Sequence, residues 1–370
     1  MIRVLYISDS LKQRFGVTSV IMNYLSHFDY SKIQVDLLVL KDSEEIVIDR
    51  AKALGANVYF MPNFAGLNIL EYRKFFKVFF ENNEFDIVHS HFNQIDGIVF
   101  PIARKHGVKK CISHSHNTKL SEDKLKAYRN RLMCWNIYSN ADICAACSVV
   151  AGNALFGKKF EDSSKSLIIN NAIECNKFEY SSEKRSLIRR ELGVGDNTVL
   201  IGNIGSFKLQ KNQTFLLDIF KQLKEYKNDA YKLLLVGDGE KRAELEKKVS
   251  ELQLGEDVIF TGVRKDVAYI LSAIDLFVLP SLYEGLPVIG IEAQASGVNC
   301  IFADTITKET DLIGVKYLSL GSGAVSWARA IKETTCERNK DSQEILKIKG
   351  YDIGIESEKL TEKYYDFIEM

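Results

Sequence analysis

Short apolar runs recur along the chain, each closed by a polar or glycine-bearing loop and followed by a stretch of helical period. Residues 2–8 read as a buried strand, 9–18 as a loop containing Gly16, 19–27 as a helix and 35–40 as a second strand. Strand, loop, helix, strand is the opening of a parallel α/β sheet. Further strands are expected at 58–61, 86–91, 110–117, 141–148 and 166–173, with a helix over 68–82. The pattern then restarts, with strands at 198–203, 231–236, 258–260 and 275–279. Two such series predict an α/β protein of two Rossmann-like doubly wound domains facing across a cleft, residues 1–178 and 179–350.

The most informative stretch is residues 279–293, where an apolar run stops, turns and restarts as a helix. Pro280 and Pro287 bracket the turn, and Pro287 suits the first helical position, where a missing N–H costs nothing. Gly285 permits close backbone approach. Free N–H groups at such a helix start make an anion site, and the dipole of the helix adds to it. Glu292 lies too deep for a capping-box residue and shares a face with the apolar Val288 and Ile289. A carboxylate there needs a partner, and hydroxyl groups supply one. With Glu284 in the turn, the arrangement suits phosphates on the N–H groups and a carboxylate for each ring of a nucleotide sugar. An ordinary helix start with a solvent-facing Glu is the simpler alternative.

Composition removes several classes. Formal net charge is +0, so neither a nucleic acid partner nor an anionic membrane is favoured globally. No stretch of 18 apolar residues is present, and seven irregularly spaced cysteines suggest a reducing, cytoplasmic setting. Cys144 and Cys147 form a C-x-x-C inside an apolar run, which reads as buried structural cysteine. Two basic, aromatic segments, 68–82 and 119–138, could touch a membrane interface, but core-facing helices with snorkelling cations are favoured. His89 and His91 end one strand and His114 and His116 another, each pair on one face. A metal site from the two pairs is considered, but the preferred reading is His116 lining a substrate cleft with no metal bound.

In order along the chain, Gly16, the His116 strand end, Asn171-Ala172-Ile173-Glu174, Gly205 to Asn212, Val236-Gly237-Asp238-Gly239, Gly262 to Asp266 and the E-x7-E pair Glu284 and Glu292 resemble glycosyltransferase family 4. These are the retaining sugar-nucleotide transferases of two-Rossmann GT-B architecture. The run 304–309 is similar to the branch making capsular or exopolysaccharides. The resemblance implies that Glu284 contacts the donor sugar, Glu292 the ribose and Lys211 the diphosphate. Gly16 lets the first loop approach the donor, His116 faces the transferred sugar, and Gly262 to Arg264 line the base pocket. It also implies a terminal helix over 351–370 returning to the first domain. Three positions depart from the family pattern: Ser206 stands where many members have Arg, with Lys208 as a substitute, Phe15 precedes Gly16, and Ala172 replaces a linker Gly.

The expected reaction is therefore retaining transfer from a nucleoside-diphosphate sugar, UDP being favoured, to a hydroxyl acceptor on a lipid-linked or growing glycan. No metal cofactor is expected, because lysine and helix N–H groups can carry the leaving diphosphate's charge. The setting implied is the cytoplasm, with a peripheral contact at the inner membrane face. A sugar-nucleotide epimerase, a non-catalytic partner subunit and a metal hydrolase on the His pairs are the alternatives.

Overall fold

A computed structural model describes residues 1–13, 16–63, 68–117, 124–226 and 230–369, with backbone alone at 124–127. Phe15 and Lys119, and the side chains of Lys124 and Lys126, thus lie outside the described residues. The chain divides into two compact units, Met1–Ala172 with Ile353–Met370, and Ile173–Asp352.

Seven parallel strands form the first unit's sheet: β1 Ile2–Ile7, β2 Ile33–Leu40, β3 Val58–Met61, β4 Ile87–Ser90, β5 Lys110–Ser115, β6 Ile143–Ala146 and β7 Ser166–Ile168. Their spatial order is β3-β2-β1-β4-β5-β6-β7. The second unit holds six, β8 Val199–Ile204, β9 Tyr231–Val236, β10 Val258–Gly262, β11 Leu276–Leu279, β12 Asn299–Ala303 and β13 Lys316–Leu318, ordered β10-β9-β8-β11-β12-β13. Both are doubly wound, and the order reverses between β1 and β4 and between β8 and β11. Crevices at such reversals, at the carboxyl ends of the strands, are where this architecture holds ligands.

The central strands are buried on both faces, as an all-parallel sheet demands. Leu233, Leu235, Leu276 and Val278 are fully covered and pack with Leu216, Phe220 and Trp327 into the second unit's core. The helix over 68–82 begins at Ile69 and buries Tyr72, Phe76, Phe79 and Phe80, so its aromatic side is core. Cys144 and Cys147 are both buried free thiols. No helix among the described residues is long and apolar enough to cross a membrane.

Two expected boundaries move. The division expected after residue 178 falls after Ala172, because Ile173 bridges to Asp352 and its N–H donates to the Tyr351 carbonyl at 2.9 Å. The two passes of the chain thus pair at the border, and the turn Cys175–Phe178 packs on helices of the second unit. The terminal helix runs Ile353–Glu369 and belongs to the first unit. There Ser357 donates to the His27 carbonyl and Tyr364 shares a 2.8 Å hydrogen bond with Tyr6.

Candidate active site

At the switch point of the second sheet, the loop after β8 meets the loop after β11. Phe207 anchors the first of these. It is fully buried and edge-on to Phe260, an anchor contributing roughly 1.5–3 kcal/mol. The neighbouring glycines exist to let this loop sit down. Gly237 has φ 138°, and a Cβ there would lie 2.0 Å from the Gly205 carbonyl oxygen. A Cβ at Gly239 would lie 2.5 Å from the Phe207 carbonyl oxygen. The Val236-Gly237-Asp238-Gly239 motif thus shapes the 205–212 loop from beneath.

The two loops are stitched by main chain and side chain. Leu282 N–H donates to the Gln210 carbonyl at 2.8 Å, and Asn212 Nδ2 to the Pro280 carbonyl at 3.1 Å. Gln210 Nε2 donates to the Tyr283 carbonyl at 3.0 Å. This brings Lys211 Nζ to 2.5 Å from Glu284 Oε1, with side chains only 15% and 8% exposed. Ser281 Oγ donates to the same carboxylate at 2.8 Å. An ammonium carries three donors, of which one is directed at Glu284. The sequence reading missed Gln210 and Ser281 as holders of Glu284. Their only signal was their spacing, one residue before Lys211 and three before Glu284.

Pro287 is the N-cap residue (φ −68°, ψ 114°) and the helix runs Val288–Ala295, which corrects its expected place as the first helical residue. No side chain caps this start. The Gly290 and Ile291 N–H groups reach back to the Pro287 carbonyl at 2.9 and 3.3 Å. The N–H groups before them have no intrahelical acceptor by geometry. Leu286 is buried and seats the turn, while Gly285 stays half-buried. Gly290, Ile291, Ala293 and Gln294 form the buried side of the helix, and Val288, Ile289 and Glu292 its half-open side. Burial pushes the Glu292 carboxyl up to about 7, opposed by the positive charge of Lys177.

The remaining predicted groups divide. Ser206 lies half-buried on the same loop, its carbonyl accepting from Gln213 Nε2 at 3.2 Å, and Lys208 is exposed beside it. Arg264 follows β10, two strands from the switch point. Its guanidinium is forked between Asp266, at 2.7 and 2.8 Å, and Glu191, and these carboxylates raise its already high pKa further. Gly16 and His116 belong to the first unit. Gly16 is exposed and opens the helix Gly16–Leu25. His116 follows β5 and is 9% exposed, with Nε2 at 2.7 Å from His91 Nδ1. Its ring stacks on His114 at 4.1 Å between centroids. Burial pulls His116 down to about 4 and His89 to about 3, so both are neutral at physiological pH.

Two doubly wound parallel sheets, the second with an uncapped helix start, a lysine and a carboxylate gathered at its switch point, define an α/β protein of two Rossmann-like units. Residues 16–177 match Glycosyltransferase Family 4 and residues 184–323 match Glycosyl transferases group 1. A protein of Bacillus subtilis (strain 168), named as the glycosyltransferase EpsF, is 31% identical over 361 residues, covering 95% of this chain and 93% of that one. The capsular polysaccharide biosynthesis glycosyltransferase CapH of Staphylococcus aureus is 25% identical, covering 79% of each. The Escherichia coli UDP-Gal:alpha-D-GlcNAc-diphosphoundecaprenol alpha-1,3-galactosyltransferase is 28% identical over 60% of this chain and 59% of its own. Anabaena HepE, crystallised with UDP and glucose, superposes with a TM-score of 0.80 at 17% identity, over 99% of this chain and 100% of that one. The chain belongs to glycosyltransferase family 4 and is a GT-B glycosyltransferase of polysaccharide biosynthesis.

Proposed function

We propose that this glycosyltransferase moves a hexosyl or N-acetylhexosaminyl group from a UDP-sugar to a hydroxyl of a lipid-linked or growing polysaccharide glycan, retaining the anomeric configuration. The observation that carries this reading is the Lys211–Glu284 pair, held at 2.5 Å beside the uncapped helix start at Val288. Breaking the anomeric bond places negative charge on the leaving diphosphate. Lys211 and the N–H groups of Gly285, Leu286 and Val288, in the turn that Pro287 closes, stabilise that charge, each donor contributing about 2.7–4 kcal/mol. Glu284 accepts from hydroxyls of the transferred sugar and Glu292 from the ribose. Ser206 leaves part of the phosphate charge to Lys208.

The Gly262 to Arg264 segment lines the base pocket through its backbone and aliphatic stem, since the guanidinium is engaged by Glu191 and Asp266. Gly16 lets the first loop come near the donor, and His116 presents a neutral imidazole to the sugar. The diphosphate needs no metal ion. The site of action is the cytoplasmic face of the membrane that carries the acceptor. The Escherichia coli relative, named for a UDP-Gal donor and a diphosphoundecaprenol-linked acceptor, supports this choice of substrates.

The test is transfer from a panel of UDP-sugars to diphospholipid-linked glycans in the presence of a chelator, with the product anomer assigned by NMR. Transfer with the donor's own anomeric configuration supports the reading. Inverted product, or conversion of the donor alone to an epimer, contradicts it.

A further inference from the structure

Four histidines project from adjacent strand ends of the first unit, and the pairing of β4 with β5, Ser90 opposite Ser113, sets His91 beside His114. Their rings form one stack, with centroids 4.7 Å apart for His89 and His91 and 5.2 Å for His89 and His114. Among the described residues, two ring nitrogens in this stack, His91 Nε2 and His114 Nε2, meet no hydrogen-bond partner. Buried polar atoms are rarely left so, and an ion on His91 Nε2 would satisfy one of the two.

We infer that His89, His91 and His114 form a binding site for one borderline divalent ion of the zinc, cobalt and nickel class. Each of the three offers a ring nitrogen, and the three atoms lie within 4.8 Å of one another. His89 Nε2 and His114 Nδ1 are 3.1 Å apart. Two imidazole nitrogens on one tetrahedral ion, with bonds of about 2.0–2.1 Å, sit about 3.3 Å apart, so the pair has the right spacing once the proton it shares as a hydrogen bond has moved. An all-imidazole set selects this class of ion over magnesium or calcium.

Two of the three, His89 and His91, have the surrounding bond a ligating histidine needs, a partner for the ring nitrogen opposite the ion. His89 Nδ1 lies 2.6 Å from Tyr364 Oη, which can accept its proton and leave the Nε2 lone pair for the ion. His91 Nδ1 lies 2.7 Å from His116 Nε2, which can likewise accept its proton and leave the His91 Nε2 lone pair for the ion. The ion thereby fixes the tautomer of His116, whose proton goes to Nδ1. Sequence spacing does not carry this reading, because the pairs are 25 residues apart and only the sheet register joins them.

The experiment uses the full chain, purified without a polyhistidine tag, stripped with chelator and titrated with cobalt(II). One equivalent is expected to bind with a visible absorption band, to be displaced by zinc(II), and to raise the unfolding temperature. His114→Gln, shown folded by its own unfolding transition, loses the band. Tyr364→Phe weakens uptake about 10-fold. A wild-type titration with no band, as water in the cluster would give, overturns the proposal. A band unchanged in His114→Gln does so too. Neither readout depends on transferase activity, so either failure leaves the functional reading above in place.

Discussion

The two switch points use opposite chemistry. That of the second unit gathers charge: Lys211 on Glu284, Glu292 on the open side of a helix and N–H groups at the helix start. That of the first unit gathers neutral groups, four stacked imidazoles backed by Tyr6 and Tyr364. Ionised groups stabilise a charge that develops during reaction, whereas neutral rings hold shape and hand on hydrogen bonds. On the proposed reading the second unit holds the leaving diphosphate, while the neutral rings of the first position groups and offer lone pairs to an ion.

The largest effect that would sharpen this contrast is at Lys211. Lys211→Ala should lower single-turnover rates about 10²–10³-fold, because it removes a donor from the leaving group and strands the 7%-exposed Glu284. A loss under tenfold would break the assignment of charge to this loop.

Next comes Gly237→Ala, which forces a Cβ to 2.0 Å from the Gly205 oxygen at φ 138°. It should cost about 1–3 kcal/mol in denaturant unfolding and weaken UDP binding along with stability. Weaker UDP binding with stability unchanged would mean that the glycine serves a ligand instead of the loop.

Glu292→Ala follows, with UDP affinity expected to fall about 10-fold by calorimetry, the value of one charged hydrogen-bond acceptor. UDP affinity of the variant equal to wild type would remove Glu292 from the ribose.

The smallest effects are in pH dependence, and they have opposite signs in the two units. Glu292 is raised from 4.5 to about 7, so the folded state holds its proton more tightly. Its contribution is fully present below pH 4.5 and is lost as pH rises through about 7. Glu292→Gln should therefore gain stability on wild type at pH 8 and not at pH 4.5. His89 and His116 are lowered from 6.5 to about 3 and about 4, so the unfolded state takes protons first. Their contribution is present above pH 6.5 and declines as pH falls toward 4. In protein stripped with chelator, His89→Gln should flatten the acid limb of an unfolding-versus-pH curve. Matching slopes in wild type and both variants would contradict the contrast.

Legibility in the sequence followed the same division. Each loop of the second gathering is contiguous, so its residues, read with the family resemblance, pointed to Lys211 and Glu284, which the structure brings together. The strands were visible as apolar runs because parallel sheets are covered on both faces. What failed was non-local or depended on a single torsion. Pro287 fits either the cap or the first helical position by its φ, and only its ψ of 114° decides. Arg264 is claimed by Glu191, 73 residues away. The border at Ala172 is set by Ile173 meeting Asp352, and the His91–His116 bond by strand register, neither of which any local window contains.

The most direct measurement of the central claim is a crystal structure of the chain with a UDP-sugar. The account predicts the diphosphate on Lys211 and the N–H groups at the start of the Val288–Ala295 helix, with Glu292 on the ribose hydroxyls. A diphosphate bound elsewhere, or a Glu292 carboxylate turned away from the ribose, would contradict it.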